Sequence, residues 1–382
     1  MKILVNVLSA RRGGSRVFAS HLIPALAAHD TTIDYTIVLP ERPEEYFNND
    51  LPSNVKYICP SFSNYITRFM YEHFRIPFLY KAGEYDAYFQ ADDTVPPLIY
   101  LFCSRTIAIF HESITLLLPR TTGDSVLKMA YWKLLKWLAI RNVNMPVAMS
   151  FCEKGELARG SSRLFKKLQV VYHGIDSGKF HPNPVNDAGH LSIVLPDSFI
   201  VSVSTRNPHK NYFRIVQAYG LLLKQDKIKE HLVLIGSPVL EREEVRIRQF
   251  VRDAKIENFV HIYNNIDNSE LPAIYRRANA YVYGSLFDSF GFTPLEAMAC
   301  GIPCAISQFS ALPEICGDAA EYFDPLSIQS MADAIQVVLN NNDRRSFLIS
   351  TGLLHARKFT WEKSAAEYHY LLTSPQLPEW SL

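Results

Sequence analysis

Apolar positions along the chain fall into two sets of short runs, and each run is followed by a stretch with helical spacing. In the first set, Lys2–Leu8, Thr32–Leu39, Tyr85–Gln90, Thr106–Phe110 and Val143–Ser150 read as buried strands, with a helix at Ser15–Ala28. The second set is Phe199–Ser204, Leu232–Gly236, Phe259–Ile262, Ala280–Tyr283 and Pro303–Ile306. Strands alternating with helices build a parallel sheet covered on both faces, because a parallel crossover needs a helix-length connection. Between the sets the pattern breaks. His173–His190 holds Gly174, Gly178, Gly189, Pro182 and Pro184, the composition of a linker. The expected architecture is α/β, with two doubly wound Rossmann-like domains facing across a cleft. The first covers 1–172, joined by a C-terminal helix at 360–382; the linker runs 173–190; the second covers 191–359. Ligands of such sheets lie beyond the carboxyl ends of the strands.

A length of 382 residues suits two domains of ordinary size. With 48% hydrophobic residues and a formal net charge of +1, the chain is globular and lacks the basic excess of a nucleic-acid binder. The six cysteines form no CxxC pair and sit in apolar segments, as free thiols do in a reducing cytosol. Cys300 and Cys304 have helical spacing, but no His or Cys lies near to complete a zinc site. No apolar run approaches the roughly 20 residues of a membrane span. The start at Met1–Val7 is strand-like, without a basic-then-apolar leader.

Three stretches carry candidate chemistry. Gly13 and Gly14 follow the first strand, where glycines let the backbone approach a phosphate at a helix start. A plain tight turn reads equally well, and the GxGxxG dinucleotide fingerprint is absent, which disfavours a dehydrogenase. Val203 to Asn211 ends a strand and opens a helix, with Arg206, His209 and Lys210 placing cations where the helix dipole disfavours them. An anionic ligand would account for that charge; so would a solvated loop. The richest stretch is Tyr283 to Gly301, running strand, loop, helix and glycine stop. Thr293 is a good N-cap, Pro294 suits the first helical position and Glu296 falls at N3, which predicts a capping box. The functional alternative has the amides of Ser289, Phe290 and Gly291 holding a diphosphate while Asp288 and Glu296 bind hydroxyls.

Together these pieces resemble family 4 glycosyltransferases of the GT-B fold, which retain anomeric configuration. Asp288, Phe290, Gly291, Glu296 and the following Ala297-Met298-Ala299-Cys300-Gly301-Ile302-Pro303 resemble the Glu-x7-Glu signature EGFG-x-x-x-x-EAMACG-x-P. Ser204 to Asn211 is similar to the strand-end motif VGT-x-x-P-x-KN, and His173-Gly174-Ile175-Asp176 to NGVD at the interdomain linker. Leu312-Pro313-Glu314 with Gly317-Asp318-Ala319-Ala320 resembles PE…GDAA, and Phe110-His111-Glu112 the HD that ends a first-domain strand.

The resemblance implies roles residue by residue. Lys210 contacts the donor diphosphate, Glu296 the ribose hydroxyls, and Asp288 the hydroxyls of the transferred sugar, which the amides near Ser289, Phe290 and Gly291 also hold. His111 lies at the sugar near the reacting centre, and the Gly13-Gly14 loop comes close to the phosphates and acceptor. His111, Lys210 and Asp288 are the catalytic candidates. Thr205 and Arg206 join the donor set, although Thr205 stands where many members carry arginine. The charge at the phosphate is then expected from one of Arg206 and His209. Asp288 is one methylene shorter than the usual glutamate, and Glu112 replaces the usual aspartate. Neither a metal nor a cofactor beyond the nucleotide sugar is implied.

Acceptor recognition is expected in the first domain, where Arg11, Arg12 and Arg16 flank the glycine loop and suit a diphosphate-linked lipid. Ser125–Asn142 holds Lys128, Lys133, Lys136 and Arg141 with Tyr131, Trp132 and Trp137 and no acid; Tyr65–Lys81 is similarly aromatic and basic. A membrane-surface helix has this composition, and so does a core helix with snorkelling lysines. The VGT-type strand end resembles bacterial O-antigen mannosyltransferases. That implies GDP-mannose as donor, a polyprenyl-diphosphate-linked glycan as acceptor in lipopolysaccharide assembly, and a place in the cytoplasm or on the inner membrane face. The alternatives are a UDP-sugar transferase adding glucosyl or N-acetylglucosaminyl groups, and a non-catalytic nucleotide-sugar-binding protein.

Overall fold

The computed structural model describes residues 1–11, 13–47, 51–111, 126–183 and 191–374, with backbone alone at 126–129. The chain forms two units: 1–174 together with the returning segment from Thr360, and 175–359. Each is a parallel sheet wrapped by helices, so the chain has the α/β, doubly wound architecture in both halves.

The first unit holds β1 (Lys2–Asn6), β2 (Asp34–Val38), β3 (Val55–Ile58), β4 (Ala87–Gln90), β5 (Thr106–Phe110), β6 (Met145–Ala148) and β7 (Gln169–Val170). Their order is β3-β2-β1-β4-β5-β6-β7, all parallel. β1, β4, β5 and β6 are apolar nearly throughout because helices cover both faces. The helix Gly13–His29 lies against the returning helix Trp361–Thr373, which belongs to this unit. Two features fix that return. Ser364 Oγ donates to the Tyr172 carbonyl at 2.6 Å. Gly174 is pressed so closely on the backbone of Thr360 and Trp361 that a Cβ would come within 2.2 Å of the Trp361 nitrogen. The glycine of the His173-Gly174 pair is thus required by close approach.

The second unit holds β8 (Phe199–Val203), β9 (His231–Ile235), β10 (Val260–Tyr263), β11 (Ala280–Tyr283), β12 (Cys304–Ser307) and β13 (Glu321–Phe323), in the order β10-β9-β8-β11-β12-β13. Its core packs the amphipathic helices Tyr212–Lys224 and Ile328–Asn340 on the sheet through Ile215, Tyr219, Met331 and Ile335. In each sheet the chain order reverses beside the first strand, between β1 and β4 and between β8 and β11. That is where doubly wound sheets open a crevice at their carboxyl ends.

Candidate functional site

In the second unit, two loops are sewn together at the β8/β11 reversal. After β8 the chain makes a short 3-10 turn at Pro208–Lys210, and Asn211 takes a left-handed conformation (φ 63°) before the helix Tyr212–Lys224. Asparagine tolerates that conformation better than most residues. Its buried side chain donates to the carbonyls of Gly284 (3.0 Å) and Pro325 (2.8 Å). The Leu286 amide donates to the His209 carbonyl at 2.7 Å. The loop after β11 is thereby fixed to the turn that carries Lys210.

Lys210 Nζ, so placed, donates to Asp288 Oδ2 at 2.7 Å and to the Tyr283 hydroxyl at 3.0 Å, and that hydroxyl donates to the same carboxylate oxygen at 2.6 Å. The other oxygen, Oδ1, accepts from the Phe290 amide at 3.2 Å. The Asp288 backbone is held in turn by Ser310, whose hydroxyl donates to its carbonyl at 2.7 Å. Burial acts to raise the Asp288 pKa, but Lys210 and the hydrogen bonds outweigh it and hold the carboxyl below its ordinary range. Burial and the neighbouring Asp288 push the Tyr283 phenol well up, so it stays a proton donor. The result is a nearly neutral Lys–Asp–Tyr centre. Ser310 lies outside the stretches singled out in the sequence, and Tyr283 and Asn211 stood at the ends of such stretches without a role assigned to them. The alternation Tyr281-x-Tyr283 at a strand end was the available sign for the first.

The helix after this loop begins differently from the expectation. It spans Phe292–Ala299, and its N-cap is Gly291 in a left-handed conformation (φ 103°) with no side-chain cap hydrogen bond. Thr293 therefore lies inside the first turn, where its hydroxyl accepts from Tyr281 at 2.8 Å, and Pro294 is the third helical residue. No capping box forms, because the N-cap is a glycine and Glu296 falls two positions beyond N3. Its carboxylate is instead 9% exposed and accepts from the Tyr275 hydroxyl at 3.3 Å. The helix start itself still presents backbone amides, with glycine leaving room for close approach.

The two other cations of the β8 loop are disposed differently. Arg206 is 1% exposed and turned into the domain. Its guanidinium pairs with Glu244 at 2.7 Å and donates to the Gly236 carbonyl and to Asn264. Its charge is matched internally, and it ties the ends of β8, β9 and β10 together. The expectation that it faces an anion is corrected accordingly. His209 is pushed down to a pKa of about 4, by burial first and by Lys210 second, so it is neutral near pH 7. Its Nδ1 has no hydrogen-bond partner among the described residues. Thr205 is exposed beside them.

In the first unit, His111 follows β5. Its amide donates to Asp93 Oδ1 at 2.6 Å, and its Nε2 donates to the Ala91 carbonyl at 3.2 Å, which leaves Nδ1 as the acceptor when the ring is neutral. Burial lowers its pKa, opposed by Asp93. Asp93 Oδ2 also pairs with Lys136 at 2.7 Å. Lys136 is 3% exposed, so the expectation that it snorkels toward a surface is corrected. Next to them Asp92 is pushed up to about 7, by burial first and then by Asp93 and Glu72. Glu72, raised by burial, accepts from Asn6 at 3.0 Å, and Asn6 also donates to Gln90 Oε1 at 3.0 Å. Gly13 opens its helix with φ 64° and open space beside it, and Gly14 is exposed. Arg11 is exposed, whereas Arg16 is engaged by Glu41, by the Glu45 carbonyl and by the Tyr46 ring. Arg12, Glu112, Ser125 and the side chain of Lys128 lie outside the described residues.

Comparison with known proteins adds the following. Residues 189–354 match the family model described as glycosyl transferases group 1. The O-antigen chain mannosyltransferase B of Escherichia coli is 30% identical over 169 residues, which is 44% of this chain and 44% of that protein. The chain aligns with less than half of the length of the curated relatives it first matches. Sucrose-phosphate synthase of Thermosynechococcus elongatus superposes with a TM-score of 0.75 at 18% identity, covering 97% of this chain and 98% of that one. HepE of Anabaena, in complex with UDP and glucose, superposes with a TM-score of 0.72 at 18% identity, covering 98% and 100%. These two likenesses are of fold.

Proposed function

We propose that this chain, a GT-B protein whose second domain belongs to the group 1 glycosyl transferases, is a retaining, metal-independent α-mannosyltransferase. Its donor is GDP-mannose and its acceptor a polyprenyl-diphosphate-linked glycan of O-antigen assembly. The observation that carries the transferase reading is the Lys210–Asp288–Tyr283 centre, held by the loop that leads into the N-terminus of the Phe292–Ala299 helix. Departure of the nucleoside diphosphate builds negative charge on the phosphate and positive charge on the sugar ring. A fixed ammonium and helix-start amides stabilise the first, at about 3–4 kcal/mol for a well-placed donor. Asp288, held ionised, suits the second and the sugar hydroxyls. Lys210 shifts from Asp288 toward the β-phosphate as the donor enters, so that one ion pair is exchanged for another.

In the reaction the acceptor hydroxyl oxygen bonds to the anomeric carbon on the face from which the phosphate leaves. The carbon–oxygen bond to the diphosphate breaks, and the hydroxyl proton passes to the departing phosphate. Glu296 binds the ribose hydroxyls. Its carboxylate, which serves no capping box, accepts from the Tyr275 hydroxyl at 3.3 Å. Gly13, Gly14, Thr205 and the amides of Ser289, Phe290 and Gly291 belong to the donor set, His111 lies at the sugar near the reacting centre, and Arg11 serves the acceptor side. The mannose assignment is supported by the relative named for O-antigen mannosyl transfer. The second reading is a UDP-sugar donor, because the shortened Asp288, whose two oxygens are already engaged within the protein, does not by itself select the sugar. The protein works at the inner membrane face, where its acceptor is anchored, with residues 125–142 near the surface.

Incubation with a panel of GDP- and UDP-sugars, with free nucleotide measured by mass spectrometry, tests this. Release of GDP from GDP-mannose is expected, and release from UDP-sugars alone overturns the mannose assignment. In the same assay Glu296→Ala lowers turnover at least tenfold with unchanged thermal stability. Lost stability with normal turnover would return Glu296 to a purely structural role.

A further inference from the structure

The segment between β3 and β4 is one continuous helical stretch in three parts: α-helix Tyr65–Met70, π-helix Tyr71–Arg75 and α-helix Ile76–Ala82. Along it Ile66, Met70, Phe74 and Phe78 recur every fourth residue and are 69%, 50%, 47% and 54% exposed. In a plain α-helix a stripe at that spacing winds off by about 40° per step, or about 120° from first to last. The π-turn in the middle rotates less per residue, so it returns the stripe to one line. The same turn points Glu72 inward to Asn6. At one end of the stripe Phe78 meets Phe102 at 5.9 Å between ring centroids, and the adjoining Leu101 is 73% exposed. The apolar face continues through the Phe69–Tyr131 ring contact (5.9 Å) to Tyr131, Leu134 and Trp137 on the helix Val126–Asn142, all exposed. A surface of this extent on a water-soluble face is unusual unless something covers it.

The charge on this face selects the occupant. Between 65 and 82 the only acid is Glu72, which is buried, while Arg75 and Lys81 are exposed. Between 131 and 142 there is no acid, and Arg141 is exposed and lies 4.0 Å from the centroid of the Trp137 ring. Arg68 lies over Tyr65 and Lys81 over Phe102 in the same manner. Aromatic groups paired with cations beside an aliphatic stripe are the composition of an interfacial helix. A second copy of the chain fits poorly, because a two-fold contact would bring Arg75, Lys81 and Arg141 against their own counterparts without an intervening acid.

We propose that this two-helix face seats on an anionic lipid bilayer. Ile66, Met70, Phe74, Phe78 and Trp137 insert among the acyl chains, and Arg75, Lys81 and Arg141 lie at the headgroups. This rests on the lipid-linked acceptor reading for its purpose, and it moves the contact from residues 125–142 alone to a surface whose main element is 65–82. The β-sheet end carrying Asn6 is tied to that surface through Glu72.

The test uses the full chain in flotation with two kinds of vesicle: phosphatidylethanolamine with about one third phosphatidylglycerol, and phosphatidylcholine alone. Binding to the anionic vesicles alone, weakened by salt, is expected. At about 1 kcal/mol per basic residue, Arg75→Glu with Lys81→Glu lowers partitioning at least tenfold. Ile66→Ser with Phe74→Ser and Phe78→Ser abolishes it, while Phe347→Ser on the second unit leaves it unchanged. Equal binding to both vesicle types overturns the proposal. So does binding that survives the triple substitution, or a dimer in sedimentation velocity that the triple substitution dissolves. The variants lie on the surface, and unchanged circular dichroism shows that they fold. Nucleotide release from GDP-mannose in solution stays at the wild-type rate in both multiple variants. A chain that binds vesicles without turning over any nucleotide sugar therefore overturns the transferase reading and not this one.

Discussion

The two sheets share one architecture and differ in the charge at their strand ends. At the β8/β11 reversal the carboxylate of Asp288 has a cation, Lys210, at 2.7 Å, and it is held ionised. At the β1/β4 reversal three carboxylates, Glu72, Asp92 and Asp93, share the neighbourhood. The cation there, Lys136, is committed to Asp93, and the pKa values of the other two are raised. The first arrangement suits a ligand that brings negative charge, since Lys210 can exchange one anion for another. The second suits a neutral polyhydroxyl ligand, since a carboxyl near pKa 7 can both donate and accept. One topology thus presents two chemistries, and the difference lies in where a lysine can reach.

Removing the cation breaks the comparison most directly. Lys210→Ala is expected to lower kcat/KM for nucleotide release by at least about a hundredfold, the loss of one preorganised transition-state donor, with native circular dichroism and a lowered Tm because Asp288 loses its cation. Turnover within a factor of two of wild type would remove Lys210 from the phosphate.

Arg206 sharpens the point, because it is a cation of the same loop with a different task. Arg206→Met leaves the Gly236 carbonyl and Asn264 without their buried donor, while Glu244 keeps Arg248 at 2.7 Å, and should cost about 1–3 kcal/mol in urea unfolding. Glu244→Leu alone should cost as much or more, because it leaves the buried Arg206 guanidinium without its carboxylate. If Arg206→Met left stability intact but raised the donor KM, the inward role would be wrong.

The first-domain carboxyls give a smaller effect, with a sign that can be worked out. Asp92 has a folded pKa of about 7, above its ordinary value of 3.8. Its stabilising contribution is therefore complete below about pH 4 and is lost as pH rises through about 7. Asp92→Asn should raise Tm at pH 8 relative to wild type by about 2–4 °C, which corresponds to roughly 1 kcal/mol, and by less at pH 5. Equal shifts at both pH values would mean that Asp92 is ordinarily ionised.

The smallest effect is expected from His209, whose folded pKa of about 4 lies below its ordinary 6.5. Across that window the unfolded chain binds more protons, so stability falls as pH drops from about 6.5 to about 4. His209→Gln should flatten this part of the Tm-against-pH curve. An unchanged slope would assign the acid sensitivity to other groups.

Much of this was legible in the sequence. Buried parallel strands are nearly continuous apolar runs, and Thr106–Phe110 and Ala280–Tyr283 came out with their final limits. Other runs overshot their strands by one or two residues: Val7 and Leu8 stay buried after β1 has ended. The Asp288 to Glu296 segment also stood out as a strand, loop and helix start. The capping box did not form there, because a left-handed Gly291 starts the helix two residues before Thr293 can cap it. Backbone handedness at one glycine is set by the loop it joins, and here that loop is fastened by Ser310 and Asn211 from distant parts of the chain.

The chain by itself therefore determined the two alternating sheets and most of their central strands, since hydrophobic period and turn chemistry are local properties. Tertiary structure decided what each ionisable group does. Arg206 and Lys210 are four positions apart and carry the same charge. One turns inward to Glu244 and the other lies beside Asp288, because their partners come from different elements, the helix Glu241–Asp253 and the loop after β11. The same holds for the stripe at Ile66 to Phe78, whose alignment depends on one π-turn that places Glu72 against Asn6, 66 residues away. Charge is written in the sequence, but its surroundings, and hence its chemistry, are assembled only by the fold.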